Sequence, residues 1–244
     1  MTQDPRAAVP TQTRSPDVGS DEPQVVPFEP SDMRGAADGI SVLLLSGGVD
    51  SAALAYALRP AYTLFVDYGQ RPAVAESRAA RAVAKELGLE HAQVTVNLES
   101  VGAGLLHDGE TRPGWPSPEW WPFRNQFLVT IAGAWLVGAL DALDFSGSSP
   151  MVLTGTVASD GSRHRDGTEV FYTALDGLMR CQEGGFGVAA PALRVSTERL
   201  VEDSGVTDAV LGWTHSCHTS RFPCGDCPGC FKRARVLGEL GRLQ

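Results

Sequence analysis

From Ile40 onward the chain alternates short, continuous apolar runs with longer stretches in which apolar residues recur every three or four positions. The runs "ISVLLL" (40–45), "YTLFVD" (62–67), "HAQVTV" (91–96), "MVLTGT" (151–156) and "VAAPAL" (188–193) have the length and composition of strands covered on both faces. Helical stretches separate them. One covers 50–59 and is stopped by Pro60. The next covers 72–87, with Ala79, Val83 and Leu87 four apart, Pro72 at its start and Gly88 at its end. Further helices are predicted over 124–140, 169–182 and 196–204. Strand–helix alternation with short links predicts parallel strands joined by right-handed crossovers. The expected fold class is therefore α/β: a doubly wound, mostly parallel five-stranded sheet. Such sheets bind ligands beyond the carboxyl ends of their strands.

Two segments fall outside the alternation. Residues 1–38, rich in Pro, Ser, Thr and Asp, hold too little apolar surface to fold alone and read as a disordered tail without a signal-peptide core. Residues 102–123, containing "GWPSPEWWPF", form a loop long enough to suggest function or mobility. The expected division is a tail (1–38), one nucleotide-binding domain (39–212) and a small appendage (213–244). No apolar stretch approaches the roughly 18 residues of a membrane span. A net charge of −9 argues against gripping a long nucleic acid, which demands clustered Lys and Arg. A cytoplasmic location is expected. Five cysteines in such a chain point to metal or redox work and not to disulfides.

The strand-to-helix turn "SGGVDS" carries the sharpest signal. Gly47 and Gly48 let backbone N–H groups approach an anion, Ser46 and Ser51 offer hydroxyls, and the next helix aims its positive end at the same place. Asp50 would repel a bare phosphate, but as a Mg²⁺ ligand it has a reason to be there. The Walker spacing and its Lys are absent. The turn resembles the pyrophosphate loop of ATP-dependent adenylating enzymes such as GMP synthetase, NAD synthetase and argininosuccinate synthase. The plainer alternative is a tight turn with Asp50 as a helix cap.

Near the C-terminus, "CHTSRFPCGDCPGC" supplies Cys217, Cys224, Cys227 and Cys230. Four thiolates at short spacings suit one tetrahedral structural Zn²⁺; an iron–sulfur cluster takes the same ligands. Cys181 stands apart in a helical stretch and reads as packing. In the following "FKRARVLGEL", Lys232, Arg233 and Arg235 read as a solvated face.

Taken in order, "LLLSGGVDS", "VDYGQRPAVAESRAA", "WPFRNQFLVTIAGAW" and "CGDCPGCFKRA" resemble the 7-cyano-7-deazaguanine synthases of queuosine and related deazapurine biosynthesis, over about residues 40–240. That resemblance implies a pyrophosphate-loop, adenine nucleotide alpha hydrolase-like domain with a C-terminal zinc knot. It implies ATP-dependent adenylation of 7-carboxy-7-deazaguanine, displacement of AMP by ammonia to give an amide, and a second activation leading to the nitrile. Ser46, Gly47, Gly48, Asp50 and Ser51 are then implied to hold phosphates and Mg²⁺. Asp67, Tyr68, Gln70, Arg71, Asn125 and Gly155 are implied to face the nucleotide or acceptor, and Asp50, Arg124 and Asp160 to act in catalysis. Arg124 at a helix end also reads as a salt-bridge residue. The resemblance draws Arg233 toward the nucleotide, and a homodimer is a further expectation.

The acceptor half departs from the family pattern. Asp160 and Asp166 match, whereas His164, Arg165, Gly167 and Thr168 stand where tyrosine, proline, cysteine and arginine are expected, and Thr197 stands in place of a lysine. Three other readings stay open: relatives that pass the activated deazaguanine to an amine of a partner protein, with Trp115, Trp120 and Trp121 around a larger nucleophile; a tRNA thiolation enzyme; and a non-catalytic nucleotide sensor.

Overall fold

The computed structural model describes residues 40–107, 111–139 and 150–242. The tail expected over 1–38, and the last residue of the helix expected over 124–140, lie outside them. Five parallel strands form one sheet: β1 Ser41–Leu44, β2 Tyr62–Asp67, β3 Glu90–Thr95, β4 Met151–Leu153 and β5 Gly187–Ala189. Their order is β3-β2-β1-β4-β5. Val42 pairs with Tyr62 on one side and with Val152 on the other. The strand order reverses between β1 and β4, and a crevice opens at such a switch point.

Alternate strand residues feed two cores. Leu43, Phe65 and Leu153 point to one face, Val42, Leu64, Val66, Val152 and Val188 to the other. The first face is covered by α1 (Val49–Leu58), α2 (Ala73–Leu87), α6 (Thr197–Ser204), α7 (Asp208–Gly212) and α8 (Pro228–Glu239). The second is covered by α3 (Arg124–Ala139) and α5 (Glu169–Arg180). Between β4 and α5 lies the single turn α4 (Ala158–Gly161).

Helix α1 is apolar nearly all round because it is buried nearly all round: Ala52, Ala53, Leu54 and Ala55 are fully buried. Each large side chain sealed in this way contributes roughly 2 kcal/mol. The helix ends at Arg59, in the left-handed region at φ 49°, just before Pro60. Gly88 closes α2 at φ 63°.

Strands β4 and β5 are shorter than their apolar runs. Thr154 still donates to the Ala189 carbonyl at 3.0 Å, but from there the chain turns into the crevice. Pro191 has no N–H with which to continue β5. The stretch "FKRARVLGEL" reads as a helix from residue 231, and the observed one begins three residues earlier, at Pro228. Pro228 takes its first position and Cys227 is its N-cap, the thiol accepting from the Cys230 N–H at 3.4 Å. Val236 and Leu237 of α8 join the core under α1, so the segment behind the cysteines is anchored to the sheet.

Candidate active site at the sheet's switch point

The turn after β1 is shaped by contact with α2. Gly47 sits at φ 78°, and a Cβ there would come within 2.7 Å of the Ala79 Cβ and 2.8 Å of the Ala80 nitrogen. Only glycine fits. The Ser46 and Ser51 hydroxyls are 3.2 Å apart, Ser46 Oγ accepts from the Gly48 N–H at 3.3 Å, and Ser51 Oγ donates to the Gly48 carbonyl at 3.2 Å. No side chain caps α1, so the donors of its first turn have no side-chain acceptor, which is the usual arrangement of an anion site.

Asp50 is not a helix cap. Its Oδ2 lies 2.9 Å from the Lys232 ammonium, and its Oδ1 is buried without a partner. Sequence reasoning placed Lys232 on a solvated face and drew Arg233 inward. The structure turns Lys232 to Asp50, and Arg233 lines the smaller cavity beside the same turn. Arg233 donates to Thr214 Oγ1 and the Leu211 carbonyl, both at 3.2 Å, at the end of α7. Adjacent helical residues point about 100° apart, so the sequence could not tell that Lys232 would be the one to meet Asp50. Thr197, standing where the resemblance led to a lysine, is buried and lines a smaller cavity of about 160 Å³ together with Asp50 and Lys232.

A cavity of about 300 Å³ opens beyond β1 and β4. Ser46, Gly48, Asp50, Ser51, Tyr68, Gln70, Arg124, Asn125, Gly155 and Asp160 line it. Three other candidates do not. Gly47 packs behind the turn, Asp67 accepts from the Gly69 N–H at 3.1 Å to close its own turn, and Arg71 is exposed away from the lining. Gln70 is committed internally: its Oε1 accepts from the Tyr68 N–H at 2.8 Å, and its Nε2 donates to Glu76 Oε2 at 2.9 Å. Asn125 donates to the Asp166 carbonyl at 2.8 Å, and Asp160 accepts from the Val157 N–H at 3.0 Å.

Arg124 is the electrostatic centre of the cavity. Burial works against its charge, but Tyr68, Asp166, Asp160 and Glu76 around it outweigh burial and hold it above the usual arginine range. Burial raises the Tyr68 phenol, so it stays protonated. Burial also pushes Glu76 up to about 7 against the pull of Gln70 and Arg124. A fixed cation in a walled cavity suits a carboxylate or phosphate ligand.

Several lining residues escaped sequence reasoning because the fold gathers them from distant loops. Arg163 and Glu119 form an ion pair on the cavity wall. His164 lines the same wall, where its Nε2 meets Ser117 Oγ at 3.2 Å, whereas Arg165 is exposed away from it. A side chain at Gly167 would press within 2.8 Å of the Asp160 carbonyl carbon, so the cysteine of the family pattern has no room here. Thr168 instead caps α5, accepting from Phe171 N at 3.3 Å. Trp121 is core and not a display surface: it is 1% exposed and packs edge-on against Tyr68 at 4.9 Å. Cys181, read as packing, is exposed at the end of α5.

The sulfur atoms of Cys217, Cys224, Cys227 and Cys230 all lie within 4.8 Å of one another. Cys224 and Cys230 are 3.9 Å apart, Cys217 and Cys227 4.0 Å. Tetrahedral Zn–S bonds near 2.3 Å require about 3.8 Å between sulfurs. The N–H groups of His218 and Asp226 point at Cys227 and Cys224 at 3.3 and 3.4 Å, and the bond from Asp226 lowers the Cys224 thiol. The cluster therefore fits a four-thiolate metal. His215 N donates to the Gly47 carbonyl at 2.8 Å, docking the knot on the phosphate turn.

Fold and site together define an α/β protein of the pyrophosphate-loop, adenine nucleotide alpha hydrolase-like type, with a C-terminal cysteine cluster able to chelate a metal. Residues 40–241 match the family model described as queuosine biosynthesis protein QueC. A 7-cyano-7-deazaguanine synthase of Synechococcus sp. (strain CC9605) is 34% identical over 221 residues, covering 83% of this chain and 94% of the relative. Relatives of the same name from Stutzerimonas stutzeri and Pseudomonas aeruginosa are 31% and 30% identical, each over 82% of this chain and 94% of their own. The chain belongs to the QueC family.

Proposed function

We propose that the protein is an ATP-dependent carbon–nitrogen ligase that converts 7-carboxy-7-deazaguanine first to its amide and then to 7-cyano-7-deazaguanine. One observation carries this reading: the uncapped anion turn and the half-buried Arg124 face a single cavity, in a chain whose relatives bear the synthase name.

A carboxylate is a poor electrophile at neutral pH because oxide is a poor leaving group. Attack of the substrate carboxylate on the α-phosphorus of ATP expels pyrophosphate and gives an acyl adenylate. Ammonia then attacks the acyl carbon, AMP leaves with the former carboxylate oxygen, and a proton is released. In the second round the amide oxygen attacks another ATP at its α-phosphorus. Loss of AMP and of both N–H protons leaves the nitrile.

Ser46, Ser51 and the N-terminal turn of α1 receive the departing phosphates, and Lys232 supplies the cation that the Walker loop would have supplied. Arg124 holds the carboxylate, with the Tyr68 phenol beside it. The unpartnered Oδ1 of Asp50, next to the phosphate turn, fits a hard divalent cation; Mg²⁺ there would neutralise pyrophosphate charge. The four-thiolate knot takes Zn²⁺ and leaves no open coordination position, so that ion is structural. Four cysteines kept as metal-binding thiolates are in keeping with a reducing compartment, and on that ground we take the protein to act in the cytoplasm. Ammonia is taken as the nucleophile here: Trp121 is sealed in the core, and the half-buried Trp115 and Trp120 pack edge-on against each other at 5.2 Å.

Incubation with ATP, Mg²⁺ and 7-carboxy-7-deazaguanine, with and without ammonium, tests the proposal by mass spectrometry. Ammonium-dependent amide and nitrile are expected, with AMP and pyrophosphate. Absence of AMP formation would overturn the reading.

A further inference from the structure

Glu119 is a buried carboxylate that the reaction above does not use. It is 5% exposed, lines the main cavity, and comes from the long loop between β3 and α3. Oε1 is taken by the Arg163 guanidinium, while Oε2 is buried with no partner. A buried acceptor left unpaired is costly, and on a residue that lines a cavity it marks a place where a ligand donor is expected.

The carboxylate is also held in place. Arg163 pins one oxygen, and two residues earlier Ser117 Oγ meets His164 Nε2 at 3.2 Å, so the loop is tied twice to the segment after β4. That segment also carries Asp160 and Asp166, on the far side of β1 from β2. Tyr68, Leu106 and Leu128 supply apolar wall in the same cavity, which suits a flat heterocycle. A fixed anionic acceptor beside an apolar wall recognises a ring edge bearing adjacent N–H donors.

We propose that Glu119 is the specificity-determining residue for the acceptor heterocycle, its Oε2 accepting from the ring N1–H and the exocyclic 2-amino group of a 7-deazaguanine. This rests on the function proposed above and adds the contact that tells a guanine-type ring from its 2-desamino counterpart. Ordinary surface pairing would not explain the arrangement, because an exposed ion pair has no reason to bury one of its oxygens unsatisfied.

The test compares 7-carboxy-7-deazaguanine with its 2-desamino analogue in AMP release by the full-length protein and by Glu119→Gln and Glu119→Ala. In Glu119→Gln, Arg163 claims the amide oxygen, which turns the amide NH₂ toward the ring donors, so shape is kept and hydrogen-bond polarity reversed. Wild type is expected to favour the 2-amino compound at least about tenfold in kcat/KM. In both variants that preference should collapse to within about threefold, with KM for ATP unchanged. A purely structural Glu119 would slow both compounds in parallel and leave their ratio at the wild-type value, overturning the proposal. A rise in KM for ATP with the preference intact would also overturn it, assigning Glu119 to the nucleotide's ribose hydroxyls. If wild type acts on neither compound, the function proposed above fails and this inference falls with it. An active wild type with an undisturbed ratio in the variants defeats the inference alone.

Discussion

The Lys232 ammonium stands 2.9 Å from the Asp50 carboxylate, joining two helices through residues 182 apart in sequence. One helix follows the phosphate turn and the other grows out of the cysteine cluster. The cysteine segment therefore does more than close the chain: it sets a cation beside the turn proposed to receive phosphate. Lys232→Ala would leave Asp50 with neither oxygen paired. Pyrophosphate release should fall at least about tenfold, and stability by about 1–2 kcal/mol, less than for a fully buried pair because both partners keep some contact with solvent. Lys232→Arg should recover part of the rate. Steady-state kinetics and urea melts of the two variants check this, and wild-type rates in Lys232→Ala would refute it.

If the knot sets the position of Lys232, metal loss should reach the active site. Cys227 is both cluster member and N-cap of α8, so Cys227→Ser disturbs ligand set and helix start together. Metal content should drop from about one zinc per chain, Tm should fall by about 5–10 °C, and AMP formation should decline in step. Chelation of the wild-type protein should reproduce all three effects. An unchanged metal-to-protein ratio in the variant would reject the assignment.

The turn geometry predicts a sharp response at Gly47. Alanine there must hold φ near 78° and place a methyl 2.7 Å from Ala79 and 2.8 Å from the Ala80 backbone. The unfavourable dihedral costs roughly 1 kcal/mol and the displaced helix contact more, so a total loss of about 2–4 kcal/mol is expected. Pyrophosphate release should fall with it, because the N–H groups of the turn move. Thermal melts and kinetics of Gly47→Ala should therefore change together, and a stable, fully active variant would contradict the geometry.

What the sequence made legible was local. The phosphate turn, the five strands and the cysteine cluster are each written within a few consecutive residues, where dihedral preference, periodicity and ligand spacing act directly. Convergence from separate loops was not. Glu119 reads as an ordinary charge in a long loop until Arg163 and the cavity are seen beside it. The same holds for Trp121, whose neighbours Tyr68 and His107 lie 53 and 14 residues away. That Lys232 meets Asp50 depends on how its helix is rotated, and that is settled by packing of Val236 and Leu237 under α1. Asp67 and Arg71 share the Asp-Tyr-Gly-Gln-Arg stretch with two cavity residues, yet the turn after β2 sends only Tyr68 and Gln70 inward.

Glu76 gives the protein a stability profile that depends on pH. Burial raises its carboxyl from an ordinary 4.5 to about 7, partly offset by the Gln70 hydrogen bond and by Arg124. Below pH 4.5 the group is protonated folded and unfolded alike. Between 4.5 and 7 the folded state holds the proton while the unfolded state has lost it, so stability declines as pH rises; above 7 the loss is complete and constant. Glu76→Gln cannot ionise, and its amide oxygen can still accept from Gln70, now at 2.9 Å. The variant should match wild type near pH 4.5 and exceed it by about 1–3 kcal/mol at pH 8, the range allowing for partial solvent contact. Urea melts at pH 4.5, 6 and 8 measure the gap directly. A difference that stays constant across that range would mean that Glu76 is ionised throughout and that Arg124, not burial, controls it.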